Sequence, residues 1–190
     1  MHSILEKGTY GYIERFKRYE LIKTVVWAIF IALIIGIPWL ILKTQLNYFT
    51  IIGVVLVLPA ARTFILYVAA LPHHSGKEEE HEEIAGFVRE PMILLSDLML
   101  TRSKGSTIIV WEAVIYNGNV YAYVPKQKAD IKEITAYLQK QMENLGYKRK
   151  PLVHDQFKAY SDLIEMLSVN HPSEVTECED LARRLKAISL

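Results

Sequence analysis

Two long stretches without charge near the N-terminus constrain the fold more than any other feature. Residues 24–42, TVVWAIFIALIIGIPWLIL, contain no charged residue, and residues 48–71 contain only Arg62. A helix needs about twenty apolar residues to cross the hydrocarbon core of a bilayer, and few soluble helices are apolar on every face. Because only a short polar segment, KTQLN, separates the two stretches, they predict a transmembrane helical hairpin over residues 24–71.

Arg62 is the charged residue that a second span must accommodate. It precedes Leu71 by nine residues, roughly 13 Å along a helix, so its long side chain reaches toward the headgroups. The insertion cost of about 2.5–3.5 kcal/mol at a helix centre falls away from the centre, and the apolar neighbours offset it. Two roles stay open for Arg62: a contact with lipid phosphate or a backbone carbonyl, or a contact with a carboxylate of a partner protein.

The distribution of basic residues predicts the orientation of the hairpin. Five basic residues precede the first stretch, whereas the loop between the stretches holds only Lys43. Because basic residues accumulate on the cytoplasmic side, we expect both termini in the cytoplasm and the hairpin in the plasma (inner) membrane. Residues 1–23 form a basic and aromatic segment that is either an interfacial helix on anionic lipid or a simple extension of the first span.

The rest of the chain has the composition of a globular domain. We interpret residues 72–90 as an acidic juxtamembrane helix or linker and residues 91–190 as a cytosolic α+β domain. The predicted order of elements after the hairpin is α-β-β-β-α-β-α-α, with residues 92–101 assigned to the first strand. The formal net charge of +1 gives no general attraction to nucleic acid, so membrane lipids and another protein are the expected partners.

Asn117-Gly118 is the clearest local signal in this domain, because this dipeptide favours a two-residue β-hairpin turn. The resulting register places Glu112 opposite Tyr123. One face of the hairpin then carries Glu112, Val114, Tyr116, Tyr121 and Tyr123. The other face is apolar throughout and is the predicted core face: it carries Trp111, Ala113, Ile115, Val120, Ala122 and Val124. The tyrosine face is therefore expected to be partly exposed or covered by another element.

Two helix starts and a metal site are further candidates. Asp130 with Glu133, and Ser75 with Glu78, match the pattern of a helix N-cap. His74, Glu78 and His81 would share one face if the segment were helical throughout, and their side chains suit zinc. The expected metal content is nevertheless none, because Ser75 and Gly76 interrupt that helix.

The element order from Glu78 to His154 resembles the core of restriction-endonuclease-like (PD-(D/E)xK) nucleases. That resemblance implies an Asp on one strand and a Glu-x-Lys on the next, which together bind a divalent metal such as Mg²⁺. Asp97 and Glu112 stand in those places. The lysine of the motif is absent, because Glu112 is followed by Ala113 and Val114, so Lys126 or Lys128 would have to replace it.

The sequence contains no complete set of catalytic residues, such as a glycine-rich phosphate loop or a Gly-x-Ser-x-Gly motif. It therefore favours a non-enzymatic accessory, adaptor or regulatory subunit without a cofactor, which binds a partner through Tyr116, Tyr121, Tyr123 and Arg62. A metal-dependent nuclease that uses Asp97 and Glu112 is the first alternative. A small subunit of a transport complex is the second, since two spans are too few for a conduit.

Overall fold

The chain forms two compact units in a computed structural model that describes residues 6–42, 48–101, 107–124, 130–169 and 175–189. Ile13–His74 make up the first, called here the helical unit. Met1–Tyr12 and Ser75–Leu190 together make up the second, called here the α+β unit. The α+β unit is thus discontinuous in sequence, because its first residues precede the helical unit and the remainder follows it.

Two long helices account for most of the helical unit. Helix α1 runs over Tyr12–Leu42 and helix α2 over Tyr48–Ala70. Both are long and apolar enough to cross a membrane, by length and composition. Helix α1 is continuous from Tyr12, so the basic and aromatic residues from Tyr12 onward belong to the same helix as the first apolar stretch. Their placement at a lipid interface stays a prediction. The predicted loop at residues 43–47 lies outside the described residues.

Packing between α1 and α2 relies on one small residue and one polar pair. Thr24 Oγ1 donates a hydrogen bond to Thr63 Oγ1 over 3.0 Å. A Cβ atom added at Gly53 would stand 2.5 Å from Ile35 Cγ1. Thr24 precedes Ile35 in α1, whereas its partner Thr63 follows Gly53, the partner of Ile35, in α2. The two helices are therefore antiparallel. Small residues and hydroxyl pairs are the usual means of close helix approach in lipid.

The α+β unit contains a four-stranded mixed sheet in the order β1-β2-β3-β4. Its strands are β1 Ile93–Thr101, β2 Thr107–Tyr116, β3 Asn119–Tyr123 and β4 Leu152–His154. Its helices are α3 Glu78–Phe87, α4 Ile131–Asn144, α5 Phe157–Ser168 and α6 Val175–Ile188. Strands β1 to β3 are antiparallel, and β4 is parallel to β3. The predicted element order and the strand over residues 92–101 are confirmed.

The β2–β3 hairpin has the predicted turn and register. Asn117 and Gly118 have φ angles of 50° and 64°, as both central residues of a type I′ turn require. Glu112 consequently lies opposite Tyr123 and Tyr116 opposite Asn119. The turn residues therefore determined the register of this hairpin.

Each face of the sheet is covered by a pair of helices. Helices α4 and α6 pack on the apolar face, where Ile134, Leu138 and Met142 meet Leu181 and Leu185 in one core. The opposite face carries the tyrosines and packs against α3 and α5 through residues that include Ile84, Tyr160 and Ile164. The tyrosine face of the sheet therefore forms part of a second hydrophobic core.

Side-chain alternation changes phase at one point of the β1–β2 pair. Ser96 pairs with Glu112 and Leu98 with Val110, whereas Asp97 and Trp111 between them form no bridge. Because of this change, Trp111 is partly buried and packs against the core beneath α3 and α5. Its predicted place on the opposite face, with Ala113 and Ile115, is wrong.

One of the two predicted N-caps, Asp130, is the N-cap of its helix, whereas the other, Ser75, is not. Helix α3 begins after Lys77, and Ser75 Oγ donates a hydrogen bond to Asp97 Oδ2 instead of to the helix. Asp130 is the N-cap residue of α4, as predicted, but its side chain makes no cap hydrogen bond. The helix starts were correct to within a few residues, but the hydroxyl of Ser75 has a tertiary partner.

Candidate functional site

A group of polar side chains lies between α3 and the sheet, within the α+β unit. We call Tyr10, Ser75, His81, Ser96, Asp97 and Glu112 the polar cluster. The change of phase in β1 and β2 creates it, because Ser96 and Asp97 are adjacent in sequence and yet both contact residues on the α3 side of the sheet. A regular strand would place only one of these two side chains there.

Glu112 is the centre of the cluster and is only 3% exposed. Its Oε2 accepts a hydrogen bond of 2.9 Å from Ser96 Oγ, and its Oε1 lies 2.9 Å from His81 Nδ1. Burial raises the pKa of the Glu112 carboxyl to about 7, although His81 and Ser96 act in the opposite direction and Asp97 adds to the rise. Glu112 therefore exchanges a proton close to neutral pH.

Asp97 is the second carboxylate of the cluster and is 0% exposed. Its φ angle of 53° lies in the left-handed region, which Asp tolerates better than most residues but which still carries strain. The hydrogen bond from Ser75 Oγ to Asp97 Oδ2 measures 2.6 Å. A buried carboxylate on a strained backbone is a frequent feature of functional sites.

Tyr10 covers the cluster from the N-terminal segment. Its ring stacks on the His81 ring with 4.5 Å between centroids and 13° between planes. Its hydroxyl donates to the Gly76 carbonyl oxygen over 3.0 Å. Burial raises the pKa of Tyr10, and the nearby carboxylates, Glu78 first among them, raise it further. Sequence reasoning missed this residue, because nothing in residues 6–12 indicates that they fold with a domain that begins more than sixty positions later.

Asp97 and Glu112, the two carboxylates of the nuclease resemblance, thus lie on the same side of the sheet. Val114, which occupies the position of the missing lysine, is 0% exposed in the second core. Lys126 and Lys128, the predicted replacements, lie outside the described residues. Within the described part of the chain, no group of three His, Cys, Asp or Glu side chains is arranged to hold a metal ion.

The predicted binding tyrosines lie mainly in the core. Tyr116 and Tyr123 are buried, and Tyr121 is partly buried beside them. Burial raises the pKa of Tyr123 to about 12, with a further contribution from its hydrogen bond to Glu80. Their packing under α3 and α5 gives these side chains a structural role, and a direct contact with a partner stays a prediction.

The remaining predicted site residues are dispersed. Arg62 is exposed on α2, while its neighbour Thr63 is buried and faces α1. His74 lies 3.4 Å from Glu14 Oε1 and from Lys17 Nζ, in the helical unit. His81 is engaged with Glu112. The helix that would align His74 with His81 does not form, because α3 begins only at Glu78.

Comparison of the chain with protein-family models, with curated proteins and with solved structures finds no match.

Proposed function

We propose that this protein is an accessory or adaptor subunit that the α1–α2 hairpin anchors in a membrane, with the α+β unit in the cytoplasm as the partner-binding part. The anchor is supported by the exposed apolar side chains along both helices, which include Ile29, Leu33, Leu58 and Ile65. Water is a poor solvent for such a surface, and patches of this kind on proteins are generally covered by lipid or by another chain.

The hydrogen bonding and burial of the Asp97 and Glu112 carboxylates support a binding role. Asp97 is engaged by Ser75, and Glu112 by Ser96 and His81. Both carboxylates are buried to at least nine-tenths, whereas a catalytic acid or base must come within hydrogen-bonding distance of its substrate. Their internal partners therefore favour a role in shaping the domain over a role in contacting substrate.

Arg62 supports a protein partner within the membrane. It is exposed on α2 and surrounded along that helix by apolar residues, eight residues before the helix ends at Ala70. Charged residues inside spans generally pair with another polar group. A carboxylate on a neighbouring membrane protein would supply that group, and a lipid phosphate is the competing partner.

Co-purification tests this function. The full-length protein would be extracted from native membranes in mild detergent and compared with Arg62→Leu and with the matched control Arg89→Leu, which makes the same change at an exposed position outside the long helices. A stoichiometric partner that Arg62→Leu releases and Arg89→Leu retains is the expected result. A protein that leaves the membrane at alkaline pH, or that purifies without any partner, would overturn the proposal.

A metal-dependent nuclease-like activity is the second candidate, because Asp97 on β1 and Glu112 on β2 lie on one side of the sheet, as the resemblance implies. Mg²⁺ would bind to these two oxygen ligands. The test is cleavage of DNA by the full-length protein with Mg²⁺ or Mn²⁺, compared with Asp97→Asn and with the control Glu165→Gln on α5. Metal-dependent cleavage that only Asp97→Asn abolishes would replace the accessory role with an enzymatic one.

A further inference from the structure

The N-terminal segment Glu6–Tyr12, called here the strap, is built into the α+β unit. The Ser96 amide donates a hydrogen bond of 3.0 Å to the Gly8 carbonyl, so the strap contacts the outer edge of β1. Lys7 Nζ donates to the Ser189 carbonyl over 2.5 Å. Ser189 is in turn bonded to the Met99 amide through its Oγ. The strap and Ser189 thus contact the same edge strand, β1.

The strap reaches the polar cluster through two neighbouring contacts. Ser96 donates its hydroxyl to Glu112 and its amide to Gly8. Tyr10, two residues further along the strap, stacks on His81. His81 and Ser96 are the two side chains that contact the Glu112 carboxylate. Each of these two partners of Glu112 is therefore held by the strap.

Two glycines give the strap its path. Gly8 has a φ of +80° and Gly11 a φ of +75°, a region that residues with a side chain avoid. A Cβ atom at Gly8 would come within 2.9 Å of Lys186 Cε and 3.2 Å of Leu95 Cδ2. Gly11 is followed directly by Tyr12, the first residue of α1. A single residue, Gly11, therefore separates Tyr10 from the first residue of α1.

We infer that the strap is a conformational latch that couples the first apolar helix to the polar cluster: a shift of α1 withdraws Tyr10 from His81 and Gly8 from Ser96, and so opens the Glu112 site. Three contacts of the strap would break: the stack of Tyr10 on His81, the hydrogen bond from Tyr10 to the Gly76 carbonyl and the hydrogen bond from the Ser96 amide to the Gly8 carbonyl. Because only Gly11 separates Tyr10 from the first residue of α1, a displacement of α1 is transmitted to Tyr10. This latch does not depend on the accessory role, but its coupling to the bilayer rests on the membrane anchor proposed above.

Removal of the stacking ring tests the latch itself. Full-length protein in lipid nanodiscs would be followed by hydrogen–deuterium exchange in the β1 segment that contains Ser96. For Tyr10→Ala we expect exchange about tenfold faster there, the size expected when one stack and one hydrogen bond are lost, with little change in α4. Tyr10→Phe keeps the ring and loses only the bond to Gly76, so its effect should be smaller. Exchange at the wild-type rate in β1 of Tyr10→Ala would overturn the inference.

Bilayer thickness tests the coupling to α1. A change in thickness alters the tilt of a spanning helix, so exchange in β1 of the wild-type protein should differ between short-chain and long-chain phosphatidylcholine nanodiscs. A short Gly-Ser linker inserted between Gly11 and Tyr12 should abolish this difference while Tyr10 stays stacked. The same linker inserted after Gly146, at the end of α4, is the control and should preserve it.

Each outcome decides the matter even if Tyr10→Ala unfolds, because the linker at Gly11 interrupts the hydrogen bond from the Tyr12 amide to the Thr9 carbonyl but leaves Tyr10, Gly8 and their partners unchanged. A wild-type protein that is insensitive to thickness contradicts the coupling. So does a Gly11 linker variant that responds as the wild type does.

Discussion

Replacement of Glu112 by Gln should stabilise the α+β unit above neutral pH. The carboxyl has a pKa of about 7 in the folded protein, against an ordinary value of 4.5, and burial is the main cause. Each unit of difference corresponds to about 1.4 kcal/mol, so the ionised carboxylate costs the fold on the order of 3 kcal/mol. Glutamine has nearly the same shape and carries no charge, so it should remove this cost.

The sign of the effect depends on pH. Because the folded pKa lies above the unfolded value, the folded state binds the proton more tightly, and the stability associated with it is fully present below pH 4.5. That stability is lost as the pH rises through about 7. The free energy of unfolding of Glu112→Gln relative to the wild type should therefore increase with pH by about 3 kcal/mol and then level off.

Tryptophan fluorescence offers a direct assay. The chain has three tryptophans, of which Trp27 and Trp39 lie in α1 and Trp111 is partly buried against the core beneath α3. In a Trp27→Phe, Trp39→Phe background, urea unfolding of the full-length protein in detergent would report the α+β unit through Trp111. Titrations at several pH values between 4 and 9 would give the difference between Glu112→Gln and the parent, in which the contributions of distant groups cancel.

Three results would refute this reasoning. One is a stability difference between Glu112→Gln and the parent that does not change with pH, since Glu112 would then titrate at its ordinary value. Another is the same pH-dependent difference in the control Glu165→Gln, where an exposed carboxylate of α5 is replaced. The third is an increase in stability toward acid pH in Glu112→Gln relative to the parent, which would reverse the predicted sign.

Three further substitutions test individual contacts. Ser75→Ala should destabilise the α+β unit by about 1–3 kcal/mol in the same urea assay, because buried Asp97 loses a hydrogen bond. Met142→Ala should cost about 2–5 kcal/mol by the same measurement, because the residue is fully buried between α4 and the sheet. Gly53→Val should destabilise the helical unit by about 1–3 kcal/mol, because the added side chain overlaps Ile35. Thermal unfolding followed by circular dichroism would measure this, and an unchanged melting temperature would contradict the packing of α1 on α2.

The elements that were predictable are those with a strong local signal. An uncharged run of nineteen residues leaves few alternatives to a long apolar helix, and such helices are present over the predicted stretches. Asn117-Gly118 determined the turn, and through it the pairing of Glu112 with Tyr123. The apolar stripe of α4, with Ile134 and Leu138 buried, follows from the helical period in the same way.

The strap was not predictable, because its contacts are with distant parts of the chain. Tyr10 resembles any aromatic residue near a membrane helix, and only the folded unit brings it to His81 and Gly76. Gly8 and Gly11 indicate flexible backbone in the sequence, whereas both adopt defined left-handed conformations in the structure. Long-range partners of this kind leave no periodic signal in a single sequence.

The polar cluster was half predictable, and the missing half has a specific physical cause. Strict alternation along β2 from the Asn117-Gly118 turn gives the correct face for Glu112 but the wrong face for Trp111. The phase changes between these two residues, opposite Asp97, whose left-handed backbone allows Ser96 and Asp97 to contact the same side. An alternating sequence pattern does not reveal this change of phase, because the change depends on the tolerance of a single Asp residue for positive φ. The same local conformation that defeats the pattern is therefore the one that assembles two carboxylates beneath α3, and any function of the cluster depends on it.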